Sequence, residues 1–285
     1  MKPVLHHLSQ HQAESYGLVL SSEQIAHGLT KGNRGWMLWV PEKDVDAARQ
    51  AIQAYKEEQH PAEGDPATPS IAYGKTRSGL LAALILGGVH LIVNAAPRPE
   101  AILDLYGASA AHILEGQAYR LVTALMLHAG PLHLVGNMAG LALFGTAVAS
   151  LAGWGLGWLL IAASGIAGNG LNAWVHAADH WSVGASTAVF GAVGILSAHQ
   201  FALKINRPNR RMRALLPLGG GLALLAFLGA GTHTDLLAHL FGFMAGLVIG
   251  IFYAVLLPKR PAAAYQAACL FVLLSIIALS WSRMM

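Results

Sequence analysis

From Ser78 onward the chain alternates long apolar runs with short polar breaks, whereas Met1 to Arg77 has the mixed pattern of water-facing protein. A helix crossing the hydrocarbon layer needs about 20 mostly apolar residues. Seven runs of that order occur, at 79–96, 132–151, 155–176, 186–202, 214–231, 235–257 and 264–281. The fourth is short, and the third and fifth are interrupted by glycine. The first sixty residues read differently. A helical pattern begins at Ser15–Leu20, and Gln24–Leu29 and Gly35–Val40 read as two strands around a Thr30–Arg34 turn. Pro41 opens a helix to about Glu57, with Val45, Ala48 and Ile52 spaced for one face. The stretch His60–Ser70, rich in Pro, Ala and Glu, has the composition of a linker. The expected fold is therefore an all-α polytopic membrane protein behind a small α+β N-terminal domain. Its expected divisions are a domain at 1–60, a linker at 61–77, a helical core at 78–257 and a final transmembrane helix at 258–285. No cleavable signal peptide is expected, because the first seventy residues hold no uninterrupted apolar core.

Charge tests the span count independently. Only 11% of residues are charged and 55% are hydrophobic, against about 25% charged in a typical soluble domain. The basic excess suggests nucleic acid until its members are located at the ends of the apolar runs. Lys75 and Arg77 precede the first run; Lys204, Arg207, Arg210, Arg211 and Arg213 follow the fourth; Lys259 and Arg260 follow the sixth. With seven spans and a cytoplasmic N-terminus, all three clusters fall on the cytoplasmic side, as the positive-inside rule requires. Asp179 and the other scant charges fall outside. Missing one span before the fourth would put the five-residue cluster outside. The lone Cys269 lies in an apolar run, so an intrachain disulfide is excluded.

Parity makes the second, fourth and sixth spans run from outside to inside, with their N-terminal ends near the outer face. Ser186 opens the fourth, and His239 lies about one turn, ~6–8 Å, into the sixth. His133 and Asn137 lie in the first turns of the second. Polar groups at membrane depth are functional hypotheses by default. A serine hydroxyl needs an adjacent base to act as a nucleophile, and histidine titrates near working pH. Taken alone, Ser186 reads as a helix cap and His239 as a structural histidine. Their common depth on parallel helices favours a catalytic pair. Gly242, Gly246 and Gly250 repeat every four residues below His239, and Gly191 and Gly194 stand on the fourth span, so the two backbones can approach closely. Phe190, one turn after Ser186, either packs on the His239 ring or is ordinary core. His133 and Asn137 share a helix face and can donate hydrogen bonds where an oxyanion develops, joined by the Ser186 N–H. Equally, Asn137 can join helices and His133 can cap a loop. His128 reads as a structural residue holding the preceding loop over the second span. Asp235, with Thr234 beside it, reads as a cap of the sixth span and is given no catalytic role.

The combination His133-x-x-x-Asn137, Gly184-x-Ser186 and Ala238-His239-x-x-Gly242-x-x-x-Gly246, in that order on alternate spans, resembles the rhomboid family of intramembrane serine proteases. His128 and the stretch Glu115 to Thr123 fit the same pattern, and the resemblance covers about residues 79–257. It implies a Ser186–His239 dyad without an acidic third member and an oxyanion hole from His133, Asn137 and the Ser186 N–H. Gly184, Phe190, His128, Gly242 and Gly246 support that site. It further implies a six-helix protease core with a long first loop, lateral substrate entry near the fifth span, and the seventh span as an appendage. Implied substrates are transmembrane proteins in the lipid bilayer, cut near the outer face of a cell membrane, with no cofactor, metal or nucleic acid. Two departures stand out. Thr187 follows the nucleophile where glycine is common, adding bulk that narrows the site or alters the backbone, and Tyr119 stands where tryptophan is frequent. The competing reading is a catalytically silent relative that binds membrane clients, against which the intact Ser186 and His239 argue. A metal site or cation pathway built on His128, His133 and His239 lacks a His-Glu-x-x-His motif and paired acids.

Overall fold

The structure, a computed structural model, describes residues 1–32, 35–59, 75–177, 180–205, 211–229, 235–257 and 260–282. The chain divides into two compact units, Met1–Ser70 and Ile71–Met285.

The N-terminal unit is a small α+β fold. Strands β1 (Lys2–Leu8), β2 (Gly28–Gly32) and β3 (Gly35–Val40) form an antiparallel sheet in the order β1-β3-β2, with helices α1 (Gln10–Ser22) and α2 (Val45–Gln59). Ser9 starts α1 through a capping box: its hydroxyl accepts the Gln12 N–H and the Gln12 side chain accepts the Ser9 N–H. Val4, Leu8, Tyr16, Leu20, Leu38, Val40, Ala48 and Ile52 make its core. Four sequence expectations shift here. β1 escaped the pattern because its ladder is irregular between Pro3 and Leu8: Val4 and Leu8 are buried but His6 between them is exposed, so the alternation is broken. The first helix runs from Gln10, earlier than expected. β2 begins at Gly28, after a turn in which Gln24 adopts φ 58°. Pro41 leads into a short 3-10 turn, Glu42–Asp44, before α2 begins. Asn33, Arg34 and most of the expected linker lie outside the described residues.

The second unit is a polytopic helical bundle. Seven helices occupy the expected apolar runs. They are α3 (Ser78–Asn94), α7 (Pro131–Gly140) continuing through a π-helical stretch at Leu141–Gly145 into α8 (Thr146–Ala152), α9 (Leu156–His176), α10 (Ser186–Ile205), α11 (Arg211–Gly229), α12 (Leu236–Leu256) and α13 (Ala263–Trp281). Among the described residues, the α7–α8 run, α10, α12 and α13 are long and apolar enough to cross a membrane, and Ser78–Asn94 and Leu215–Phe227 are shorter apolar helices. α9 is as long, but carries Ser164, Asn169 and Asn172. All three are buried, so its polar groups face protein and not lipid. The Lys204, Arg207, Arg210, Arg211 and Arg213 side chains, with Lys259, Asp179 and Thr234, lie outside the described residues.

Between α3 and α7 the chain folds into a compact loop with short helices α4 (Pro99–Tyr106), α5 (Ala110–Leu114) and α6 (Arg120–Thr123). Arg120, only 3% exposed, holds this loop from inside. Its guanidinium donates to the Asp104 and Gly107 carbonyls at 2.6 and 3.0 Å and to Gln117 Oε1 at 2.7 Å. A two-stranded ladder, β4 (Ala108–Ser109) with β5 (Trp181–Ser182), ties the loop to the segment entering α10.

Candidate active site

Ser186 is the first residue of α10 and His239 the fourth of α12. Both helices therefore deliver their candidate groups in the first turn. What brings the turns together is the glycine seam. A Cβ on Gly242 would collide with the Thr187 carbonyl, one on Gly246 with the Gly191 carbonyl, and one on Gly250 would lie 2.7 Å from the Ile195 carbonyl. Backbone thus meets backbone at successive turns, and no side chain separates α10 from α12. Gly191 and Gly194 complete the seam from α10, Gly191 against Ser164 of α9 and Gly194 against the α12 backbone. At the top of this contact the Phe190 ring stacks on the His239 imidazole, centroids 4.7 Å apart at 29°. Phe190 lies one turn below Ser186, so the imidazole sits beside the first turn of α10.

His239 is 5% exposed, and its Nδ1 has no hydrogen-bond partner. No hydrogen bond joins it to the half-buried Ser186 hydroxyl; such bonds are often long before substrate binds. Asp235, one turn before His239, is engaged elsewhere. Its Oδ1 accepts the Ala238 N–H at 3.0 Å, capping α12. Its Oδ2 accepts from Asn172 Nδ2 at 2.7 Å and His180 Nε2 at 2.6 Å. Burial by itself would raise the Asp235 carboxyl, but these three donors together hold it below the usual carboxylate range.

On the other side stand His133 and Asn137 of α7. A Cβ on Gly184 would lie 2.5 Å from His133 Cε1 and 3.5 Å from Asn137 Nδ2. Both side chains therefore reach the backbone two residues before Ser186. Gly184 also has φ +138°, a region open to glycine, so two constraints require this residue. Asn137 is 4% exposed and its Nδ2 has no partner within the protein. The Gly184 N–H donates to the Ala124 carbonyl at 2.9 Å, and the Ala185 N–H to His128 Nε2 at 3.5 Å. His128 therefore reaches the entry to α10, and its ring also meets His133 of span two edge-on at 5.3 Å. Burial, with the neighbouring His133 and His90, pushes the His128 pKa down to about 4.

Thr187 does not crowd the site. It is 3% exposed, and its methyl fills the space between Gly168 of α9 and Gly242 of α12. Tyr119 packs edge-on against Tyr106 at 5.9 Å. Asn172, His180 and Gly168 carried no sequence signal, because each matters only through a partner distant in the chain. Among the described residues, no group of three or more His, Cys, Asp or Glu could hold a metal ion.

The sequence matches a known family. The rhomboid domain matches residues 115–256. Rhomboid-like protease 3 of Toxoplasma gondii is 30% identical over 196 residues, covering 66% of this chain and 73% of that protein. The chain belongs to the rhomboid family. Rhomboid protease GluP of Bacillus subtilis is 30% identical over 202 residues, 69% of this chain and 37% of its own length. RHOMBOID-like protein 1 of Arabidopsis thaliana is 32% identical over 139 residues, 49% of this chain and 35% of its own. The match thus spans about a third of the latter two relatives. As a rhomboid, the chain is a multi-pass membrane protein, and His133, Asn137, Gly184, Ser186, His239, Gly242 and Gly246 all fall inside the matched domain.

Proposed function

We propose that this rhomboid is an intramembrane serine endopeptidase that cleaves transmembrane segments of membrane proteins. The observation that carries the reading is the Phe190–His239 stack across the glycine seam, which puts a histidine ring beside the turn that Ser186 opens. Ser186 Oγ attacks the scissile carbonyl while the His239 ring takes its proton. The resulting oxyanion accepts hydrogen bonds from Asn137 Nδ2, His133 and the Ser186 N–H, the last an unpaired donor of a helix start. The C–N bond then breaks, His239 gives its proton to the leaving amine, and water hydrolyses the acyl-enzyme with the same histidine as base. The free Nδ1 of His239 and the occupied carboxylate of Asp235 favour a dyad over a triad.

The site lies near the outer face, with the N-terminal unit in the cytoplasm of a cell whose plasma membrane holds the bundle. The basic residues flanking the helices support this orientation. The N-terminal unit carries no catalytic group in this reading.

The test is labelling of Ser186 by a fluorophosphonate probe, together with cleavage of a model transmembrane substrate in proteoliposomes. Both should be abolished in Ser186→Ala and His239→Ala while the variants still fold. Undiminished cleavage in Ser186→Ala would sink the mechanism. A wild-type chain that binds transmembrane segments without cutting them would instead make it a client-binding relative.

A further inference from the structure

The seventh helix is tied into the core at both ends. Near its start Gln266, 1% exposed, reaches the turn between α8 and α9. Its Oε1 accepts the Gly155 and Leu156 N–H groups at 2.9 and 2.8 Å, and its Nε2 donates to the Ala152 carbonyl at 2.9 Å. One side chain from α13 thus caps the end of α8 and the start of α9, where no local side chain does so.

At its far end Trp281 stacks on Tyr106, ring centroids 4.7 Å apart at 28°, and its indole N–H points to Met126 Sδ at 3.3 Å. Tyr106 is fully buried in a cluster with Val93 and Leu127, against which Val183 and Trp281 also pack. Met126 closes the 3-10 turn Ala124–Met126. That turn supplies the carbonyl holding the Gly184 N–H, and His128, two residues on, faces the Ala185 N–H. Trp281 therefore touches the block that fixes the backbone of the two residues before Ser186. Val183, in the same apolar cluster, is a second contact between that block and the entry to α10.

We propose that Trp281 is a positioning residue: it braces the Tyr106–Met126 block and, through the Ala124 carbonyl and His128, sets the Gly184–Ser186 backbone. This rests on Ser186 being the nucleophile. Loss of the brace leaves substrate docking intact but lets the attacking serine and its N–H drift, so kcat falls and KM does not.

The experiment uses the full chain in proteoliposomes. It measures kcat and KM on a transmembrane substrate, the rate of fluorophosphonate labelling at Ser186, and the thermal midpoint. Trp281→Ala should lower kcat and the labelling rate about tenfold with KM nearly unchanged, since displacements well under 1 Å already slow an aligned reaction. Trp281→Phe, which keeps a ring on Tyr106, should recover most of both rates. Gln266→Ala, at the other end of the same helix, should lower the thermal midpoint and leave kcat in place. The proposal is overturned if Trp281→Ala labels and cleaves at the wild-type rate. It is also overturned if Gln266→Ala, at an equal loss of thermal midpoint, lowers kcat and the labelling rate as much as Trp281→Ala does. A wild-type chain that does not label at Ser186 overturns the nucleophile assignment and this proposal together, whereas a labelled wild type with an indifferent Trp281→Ala overturns the brace alone.

Discussion

Gly168 of α9 faces the junction where α9, α10 and α12 meet, so Gly168→Ala adds one methyl at a tight contact behind the site. The new Cβ would lie 2.6 Å from Thr187 Cγ2 and 2.8 Å from both Cα and N of Gly242. Comfortable carbon contacts are about 3.5–4.0 Å, so the helices must part by about 1 Å. The Thr187 methyl can rotate aside, but the Gly242 backbone cannot. His239 rides one turn away on the same helix and moves with it. Overpacking of this kind costs about 1–3 kcal/mol of stability, while a 1 Å misplacement of a catalytic group costs about 10²-fold in rate. Catalysis should therefore suffer more than folding. Gly170→Ala is the matched control, because its new Cβ would meet only Leu121 Cδ2, at 3.9 Å. The assay is kcat/KM on a transmembrane substrate with a thermal midpoint for each variant. Adding Thr187→Ala to Gly168→Ala relieves the methyl contact but not the Gly242 contact, so little activity should return. Wild-type kcat/KM in Gly168→Ala, or full recovery in the double variant, would refute the claim that backbone contact with α12 sets the histidine.

Asn137→Ala should reduce kcat by about 10²–10³, the usual effect of removing one oxyanion donor, with little change in KM; an unchanged kcat would remove Asn137 from the oxyanion site. His128 gives a pH signature. Its folded pKa, about 4, lies below the ordinary histidine value of 6.5. The unfolded chain then binds the extra proton between those values. Stability is full above pH 6.5 and falls as pH drops towards 4, by up to roughly 3 kcal/mol. Denaturant titrations at pH 7 and pH 5 should show this slope, reduced in His128→Gln; equal slopes would exclude His128 as its source. Asp235→Ala removes the α12 cap and leaves Asn172 and His180 without their shared acceptor. A loss of about 1–3 kcal/mol is expected, and Asp235→Asn, which keeps the cap oxygen but offers an amide N–H₂ where Oδ2 accepted, should fall between Asp235→Ala and the wild type. If the thermal midpoint of Asp235→Asn equals that of the wild type, the two side-chain hydrogen bonds add nothing; if it equals that of Asp235→Ala, the cap adds nothing.

The sequence by itself determined the membrane class, the position of each apolar helix and the candidate groups. Hydrocarbon imposes a length and excludes charge, and both constraints act on every residue of a run. Ser186, His239, His133 and Asn137 were legible for the same reason, being polar groups in apolar surroundings near the starts of alternate apolar helices. The N-terminal unit was read less well. β1 has a broken alternation, and its burial depends on β3, which is distant in the chain and pairs with it from Lys2↔Val40 to Leu8↔Trp36. Tertiary structure alone decided what Thr187 does, because its methyl is accommodated by glycines on two other helices. It also decided that His128 holds the entry to α10, that Asp235 is shared among Asn172, His180 and the α12 N-terminus, and that α13 is built into the bundle. Gln266 and Trp281 look unremarkable in an apolar run. Their roles come from unpaired N–H groups and a ring face supplied by chain more than a hundred residues distant. No local pattern encodes such pairings, since only the packed bundle brings their members together.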